Sequence, residues 1–85
     1  MQVQVRLFAS LRDRLPGAKR GQGVVELQAG ASLLDLIQHL DIPDRQAQMV
    51  LVNGEQAPRR AEARAVLVLT EDDTVSIFPP LAGGS

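Results

Sequence analysis

The C-terminal segment FPPLAGGS, residues 78–85, carries the most distinctive chemistry in this sequence. Pro79 and Pro80 supply no amide donors and hold the backbone extended, so a β-strand is expected to stop before them. Gly83 and Gly84 carry no side chains, so such an end fits a channel too narrow for a Cβ atom and can be brought against a nucleotide or another reacting atom. A Gly-Gly-Ser end alone is typical of a frayed terminus, but the preceding FPPLA favours function. We therefore predict a flexible tail over 79–85 whose Gly83-Gly84 end can enter the active site of a partner.

The composition excludes several other kinds of chemistry. The 85 residues include no Cys, which excludes a disulfide framework, a cysteine-ligated zinc or iron-sulfur site and a thiol nucleophile, and suits a reducing cytoplasm. A net charge of -1 and two Phe disfavour a nucleic-acid partner. The N-terminus lacks a basic leader, and no apolar run approaches the roughly 18 residues of a membrane span. We expect a soluble, cytoplasmic protein with no membrane partner.

The remaining polar clusters favour surface roles over a metal site. His39 follows Asp35 by one helical turn, without a second His or Cys nearby, so a solvated side chain is expected. The acidic run at 71–73 lacks the spaced ligands of a calcium loop and predicts a turn. A basic cluster that would either steer a partner or form a solvated loop consists of Arg59, Arg60 and Arg64.

Alternating hydrophobicity predicts the strands that position the tail. Residues 2–8 and 24–28 alternate polar and apolar side chains, and we expect them to pair as a hairpin with a long loop. The apolar run 49–52 ends at Asn53-Gly54, a dipeptide that favours a tight reversal into 55–58. Residues 74–78 follow the acidic turn and are expected to form a central strand.

One main helix is predicted between these strands. Ser32 is suited to be its N-cap, with Asp35 in the first turn, and Pro43 forces a stop. A short helical turn is expected over 9–15, ended by Pro16-Gly17, whereas 59–69 stays unassigned. The helix has one apolar stripe, formed by Leu33, Leu36, Ile37 and Leu40. The chain is thus predicted to be one α+β domain over 1–78, with a mixed sheet of four to five strands and the helix on one face.

The phase of the strands places both aromatic residues away from this helix. If Leu7 faces the helix then Phe8 does not, and the same holds for Ile77 and Phe78. For either ring alone, the alternative is that the alternation slips at the strand end and the ring folds inward. Because both rings share this phase, we predict an exposed apolar patch that docks another protein.

At this point the chain resembles the ubiquitin-like sulfur carriers of the β-grasp fold. The resemblance covers nearly the whole chain. It lies in FPPLAGG at 78–84, LFASLRD at 7–13, SLLDLIQHL at 32–40 and VNG at 52–54. The Phe-Pro-Pro before the Gly-Gly is more similar to the small subunit of molybdopterin synthase than to the thiamine-pathway carrier.

The resemblance implies a carrier with no catalytic side chain and no bound cofactor of its own. An adenylating enzyme would use ATP and magnesium to convert the Gly84 carboxylate into an acyl adenylate. A sulfur-donor enzyme would then yield a thiocarboxylate, for delivery into the large subunit of molybdopterin synthase in molybdenum cofactor biosynthesis. The residues expected to contact partners are Phe8, Phe78, Pro79, Pro80, Leu81 and Ala82.

Two other functions and the origin of Ser85 remain open at this stage. A protein modifier attached to lysines needs the same activated Gly84, whereas a plain interaction module would leave the tail inert. Ser85 ties the Gly84 carboxyl into a peptide bond, where it cannot be adenylated. We favour a residue that was added for expression, or one that is trimmed, over a loss of sulfur chemistry, because FPPLAGG is otherwise intact.

Overall fold

The computed structural model describes residues 1–15 and 20–80 as one mixed five-stranded sheet with helices. The strands are β1 (Gln2–Leu7), β2 (Gln22–Glu26), β3 (Met49–Val52), β4 (Glu55–Gln56) and β5 (Thr74–Phe78). The α-helices are α1 (Leu33–His39) and α2 (Ala61–Ala65), and 3₁₀ helices span Ala9–Arg14 and Asp44–Gln46. The turn predicted at Pro16-Gly17 and the tail residues 81–85 lie outside the described residues.

The strand order is β2-β1-β5-β3-β4, which puts the last strand at the centre of the sheet as predicted. β5 runs parallel to β1, with Leu7 opposite Ile77, and antiparallel to β3. β1 and β2 form the predicted antiparallel hairpin. The predicted α+β roll is therefore confirmed. β5 is paired on both sides as far as Ile77, and its last residue, Phe78, pairs with Met49 of β3.

The core lies between the sheet and α1. The alternation of β1 and β5 buries every second residue, and the apolar stripe of α1 packs against them in one cluster. Ser32 starts α1 through a capping box: its Oγ accepts a hydrogen bond from the Asp35 N–H at 3.1 Å, and its own N–H donates to Asp35 Oδ2 at 2.9 Å. The predicted helix start is thus confirmed. The core side chains shared by these elements are Val3, Val5, Leu7, Leu33, Leu36, Ile37, Val75 and Ile77.

The strand boundaries differ from the sequence prediction in two places. β2 spans Gln22–Glu26 instead of 24–28, because the Leu7 N–H already bonds the Gly21 carbonyl at 2.7 Å and starts the pairing earlier. The reversal at Asn53-Gly54 is confirmed, with φ values of 53° and 86°, but the returning β4 has only two residues. Residues 66–69 form no strand in the described chain; a single bridge joins Val68 to Ser32.

Arg64 corrects the expectation of a solvated basic cluster. Its side chain lies at 0% relative exposure on α2, whereas Arg59 and Arg60 are exposed as predicted. The guanidinium donates from Nε to the Pro58 carbonyl at 2.7 Å and from Nη1 to the Ala47 carbonyl at 2.8 Å. The charge pattern of the sequence could not indicate this burial, because both acceptors are main-chain carbonyls brought there by the fold.

The other polar residues lie where their chemistry predicts. His39 is exposed at the end of α1, and the acidic run 71–73 forms the turn before β5. Within residues 1–15 and 20–80, no group of three or more His, Asp or Glu side chains is placed to hold a metal ion. The described helices are all too short or too polar to cross a membrane.

Candidate functional site

The parallel pairing of β1 and β5 brings Phe8 and Phe78 together at one end of the sheet. The Phe8 N–H donates to the Ile77 carbonyl at 3.2 Å, which continues the parallel ladder by one residue. The two rings stack with their centroids 4.2 Å apart and their planes 10° from parallel. The sequence predicted that both rings avoid the helix face, and the structure adds that they contact each other.

The stacked rings are part of an apolar patch on the sheet face opposite α1. Met49 pairs with Phe78 in the β3–β5 ladder and is 39% exposed, while Phe8 is 37% exposed and Phe78 half-buried. We call Phe8, Met49 and Phe78 the ring patch. Sequence reasoning missed Met49, although its alternation with the buried Val50 indicates the outward face. An exposed apolar group of this kind on a small sheet is typical of a protein docking surface.

The chain leaves the sheet directly beside the ring patch. Phe78 is the last residue of β5, and its carbonyl accepts a hydrogen bond from the Gln48 N–H at 3.0 Å. Pro79 is half-buried, Pro80 is exposed, and neither has an N–H to extend the ladder. No main-chain N–H of the described residues donates to the carbonyl of Pro79 or Pro80, so the Gln48–Phe78 bond is the last main-chain bond on this side of β5.

The peptide unit that makes this bond is itself held from the opposite side. The Gln48 N–H belongs to the same peptide group as the Ala47 carbonyl, which accepts from Arg64 Nη1. Burial, and secondly the charge of Arg59, lower the pKa of the Arg64 guanidinium, but an arginine side chain stays protonated in proteins. A buried cation is thus hydrogen-bonded to the peptide group that fixes the end of β5.

The opposite end of β5 is fixed by a carboxylate network. Asp73 accepts hydrogen bonds from the Thr70 N–H and hydroxyl and from Asn53 Nδ2, at 2.8, 3.0 and 2.8 Å respectively. Asn53 Oδ1 in turn accepts from the Thr74 N–H at 2.9 Å. Burial acts to raise the pKa of Asp73, but these hydrogen bonds together outweigh it and the pKa lies below its ordinary value.

Of the residues predicted to contact partners, the structure brings Phe8, Phe78, Pro79 and Pro80 to one corner of the molecule. The others, Leu81 and Ala82, lie outside the described residues, as do the predicted reactive Gly83 and Gly84.

A sequence model of the ThiS family matches residues 5–84, which includes the whole of β5 and the Gly-Gly pair. The chain belongs to the ThiS family. No match was found among curated proteins. The match continues from β5, which the structure describes, through Gly84, which lies outside the described residues.

Solved structures place this ThiS-family protein in the β-grasp fold. A putative molybdopterin converting factor, subunit 1, from Pyrococcus furiosus is 26% identical with a TM-score of 0.67, covering 94% of this chain and 98% of that one. SAMP1 from Haloferax volcanii is 21% identical with a TM-score of 0.67, and the match covers 99% of this chain and 100% of that one. The HVO 2177 protein of the same organism is 23% identical with a TM-score of 0.70, covering 99% and 87%. The expected ubiquitin-like carrier or modifier architecture is therefore confirmed.

Proposed function

We propose that this ThiS-family protein is a sulfur carrier whose Gly84 carboxylate is activated and converted to a thiocarboxylate, as the small subunit of a molybdopterin synthase. The observation that carries the proposal is the end of β5: the central strand stops at Phe78, and Pro79-Pro80 leads in sequence into Leu81-Ala82-Gly83-Gly84. The 26% likeness to a molybdopterin converting factor subunit supports this branch of the family.

The chemistry of the proposed reaction resides in the main-chain carboxylate. In the first step a Gly84 carboxylate oxygen attacks the α-phosphorus of ATP, and pyrophosphate leaves. In the second step hydrosulfide attacks the acyl carbon, the bond to AMP breaks, and a thiocarboxylate and a proton result. If the donor is an enzyme persulfide, its outer sulfur displaces AMP to give an acyl disulfide, and a second thiol of the donor then attacks the inner donor sulfur, so that the thiocarboxylate leaves and a donor disulfide forms. An adenylating enzyme would supply ATP, magnesium and the catalytic groups, and a sulfur-donor enzyme the sulfur. This chain would supply the acyl group and the docking surface.

The ring patch suits the delivery step because it surrounds the point where the tail begins. A partner that covers Phe8 and Met49 also covers Phe78, the residue directly before Pro79. Docking on the patch would therefore fix the start of the tail relative to the partner's active site, which favours reaction by proximity. We propose this surface for both the adenylating enzyme and the large synthase subunit.

Intact-mass measurement tests the proposal directly. A chain ending at Gly84 is incubated with a cognate adenylating enzyme, ATP, magnesium and a sulfur donor, and should gain about 16 Da as sulfur replaces oxygen at the activated carboxyl. The chain ending at Ser85 is the matched control and should gain nothing unless it is first trimmed. No gain by the Gly84-ended chain with several adenylating enzymes from the same cell would refute the proposal.

A protein-modifier function is the second candidate, because it needs the same activated Gly84 and differs only in the acceptor. A modifier is represented among the solved structures with this fold: small archaeal modifier protein 1 of H. volcanii, at 21% identity and a TM-score of 0.69. Gly-Gly remnants on lysines of other proteins in cell extracts would favour this function. Lys19 is the only lysine in the sequence, so a Lys19→Arg variant removes self-conjugates from the measurement.

A further inference from the structure

We infer that Arg64 is a positioning residue for the reactive tail, acting through the peptide group between Ala47 and Gln48. The effect of Arg64 on the reaction rests on the proposed function, whereas its effect on the position of Phe78 does not. Arg64 Nη1 donates to the Ala47 carbonyl at 2.8 Å, and the N–H of the same peptide group donates to the Phe78 carbonyl at 3.0 Å. The Arg64 guanidinium, the 47–48 peptide group and the Phe78 carbonyl are thus joined in series by two hydrogen bonds, and the series ends at the residue directly before the tail.

The positive charge of Arg64 at one end of this series strengthens the hydrogen bond between Gln48 and Phe78 at the other end. A cation at a peptide carbonyl draws electron density toward the oxygen and makes the N–H of that peptide a better donor. The Gln48 N–H is therefore a stronger donor to Phe78 than a peptide whose carbonyl faces water. In residues 1–15 and 20–80 no main-chain N–H donates to the carbonyl of Pro79 or Pro80, and neither proline has an N–H of its own, so this is the last main-chain bond that holds the end of β5 on the β3 side.

The environment of Arg64 shows what holds the guanidinium in place. The side chain is at 0% relative exposure, and no carboxylate in residues 1–15 or 20–80 lies within salt-bridge distance. Its partners are the Ala47 and Pro58 carbonyls, and Nη2 has no hydrogen-bond partner among the described residues. An apolar residue would avoid the cost of burying this charge, but it would leave both carbonyls without a donor.

The expected consequence is a fixed direction for the chain as it leaves β5. Ala47 is fully buried, and Met49 of the ring patch lies just beyond Gln48 on β3. Loss of the Arg64 contact frees the 47–48 peptide and so loosens both Phe78 and the start of the tail. A partner then has to order this segment on binding, which weakens docking without changing the chemical step.

Amide hydrogen exchange tests the geometric part. In the ¹⁵N-labelled chain, Arg64→Met should accelerate exchange at Gln48 about tenfold more than at Asn53, whose N–H bonds the Thr74 carbonyl at the far end of β5. Arg64→Lys keeps the charge but has one nitrogen for two carbonyls, so the difference in exchange between Gln48 and Asn53 should be smaller than in Arg64→Met. This variant also provides the test if Arg64→Met does not fold. Ile37→Val, a change in the core, is the first control and should accelerate exchange at both amides equally. Arg60→Met, at an exposed arginine, is the second control and should accelerate exchange at neither amide.

Kinetics with the adenylating enzyme test the functional part, using chains that end at Gly84. Arg64→Met or Arg64→Lys should raise the KM for the carrier about three- to tenfold and leave kcat within about twofold, whereas Ile37→Val should change neither. Equal acceleration of Gln48 and Asn53, or an unchanged KM, overturns the inference. If the unaltered carrier is not adenylated at all, the proposed function fails, and the exchange experiment still decides whether Arg64 positions Phe78.

Discussion

The rings of Phe8 and Phe78 lie 4.2 Å apart and 10° from parallel, although the two residues stand near opposite ends of the chain. Their contact follows from the parallel register of β1 and β5, in which Leu7 and Ile77 face each other and turn toward the core. The next residue on each strand must then point to the opposite face. The contact between the two rings thus joins the end of the first strand to the residue directly before the tail.

Removal of one ring should weaken partner binding more than it weakens the fold. Phe8 is 37% exposed, so Phe8→Ala should lower the free energy of unfolding by about 1 kcal/mol, chiefly through lost stacking. Its affinity for the adenylating enzyme should fall about tenfold or more, as for a central aromatic contact. Calorimetric titration measures this. Val24→Ala is the matched control, because Val24 is also exposed but lies on edge strand β2; equal losses for both variants would contradict a docking role for Phe8.

Among the described glycines with positive φ, Gly21 should be the least tolerant of substitution. Its φ is +75°, and a Cβ atom there would lie 2.3 Å from the Leu7 carbonyl oxygen. We expect Gly21→Ala to lower the free energy of unfolding by at least about 2 kcal/mol in urea titrations, since backbone must move. Gly54→Ala has a φ of +86° but no neighbour within 4 Å, so it should cost only about 1 kcal/mol. Equal costs would show that the backbone shifts freely at Gly21.

The network around Asp73 should make stability depend on acid. The pKa of Asp73 is lower in the folded chain than in the unfolded chain, so the folded state favours the charged form. The stabilisation is therefore complete above the unfolded pKa of about 4 and is lost as the pH falls through the folded value. Urea midpoints measured between pH 7 and pH 2 should fall below about pH 4, and Asp73→Asn should reduce this dependence. Asp13→Asn, an exposed carboxylate on another element, is the control; the same reduction in both would argue against the network.

The capping box should contribute measurably to the start of α1. Ser32→Ala removes the acceptor for the Asp35 N–H and should cost about 1 kcal/mol, whereas Ser32→Gly should cost less. Asp35→Ala removes the acceptor for the Ser32 N–H, and the double variant should show coupling in denaturation experiments because the two bonds are reciprocal. Ser10→Ala, at an exposed serine, should change little. Strict additivity of Ser32→Ala and Asp35→Ala would show that the two bonds act separately.

The parts of this protein that could be predicted from sequence are those encoded by neighbouring residues. Alternation along 2–8 and 74–78 predicted β1 and β5, and the Ser32 and Asp35 spacing predicted the start of α1. Asn53-Gly54 predicted the reversal after β3, and Pro79-Pro80 the end of β5. Each signal acts through backbone conformation or side-chain period over a few residues, so it needs no knowledge of the remainder of the chain.

Tertiary structure decided the relationships between distant segments. The contact of Phe8 with Phe78 required the parallel pairing of the first and last strands, which no local pattern specifies. The burial of Arg64 required carbonyls from Ala47 and Pro58, two segments that meet only when β3, β4 and α2 have packed. A main-chain acceptor leaves no signature in the sequence, because every residue carries one and only the fold selects which of them face a given side chain.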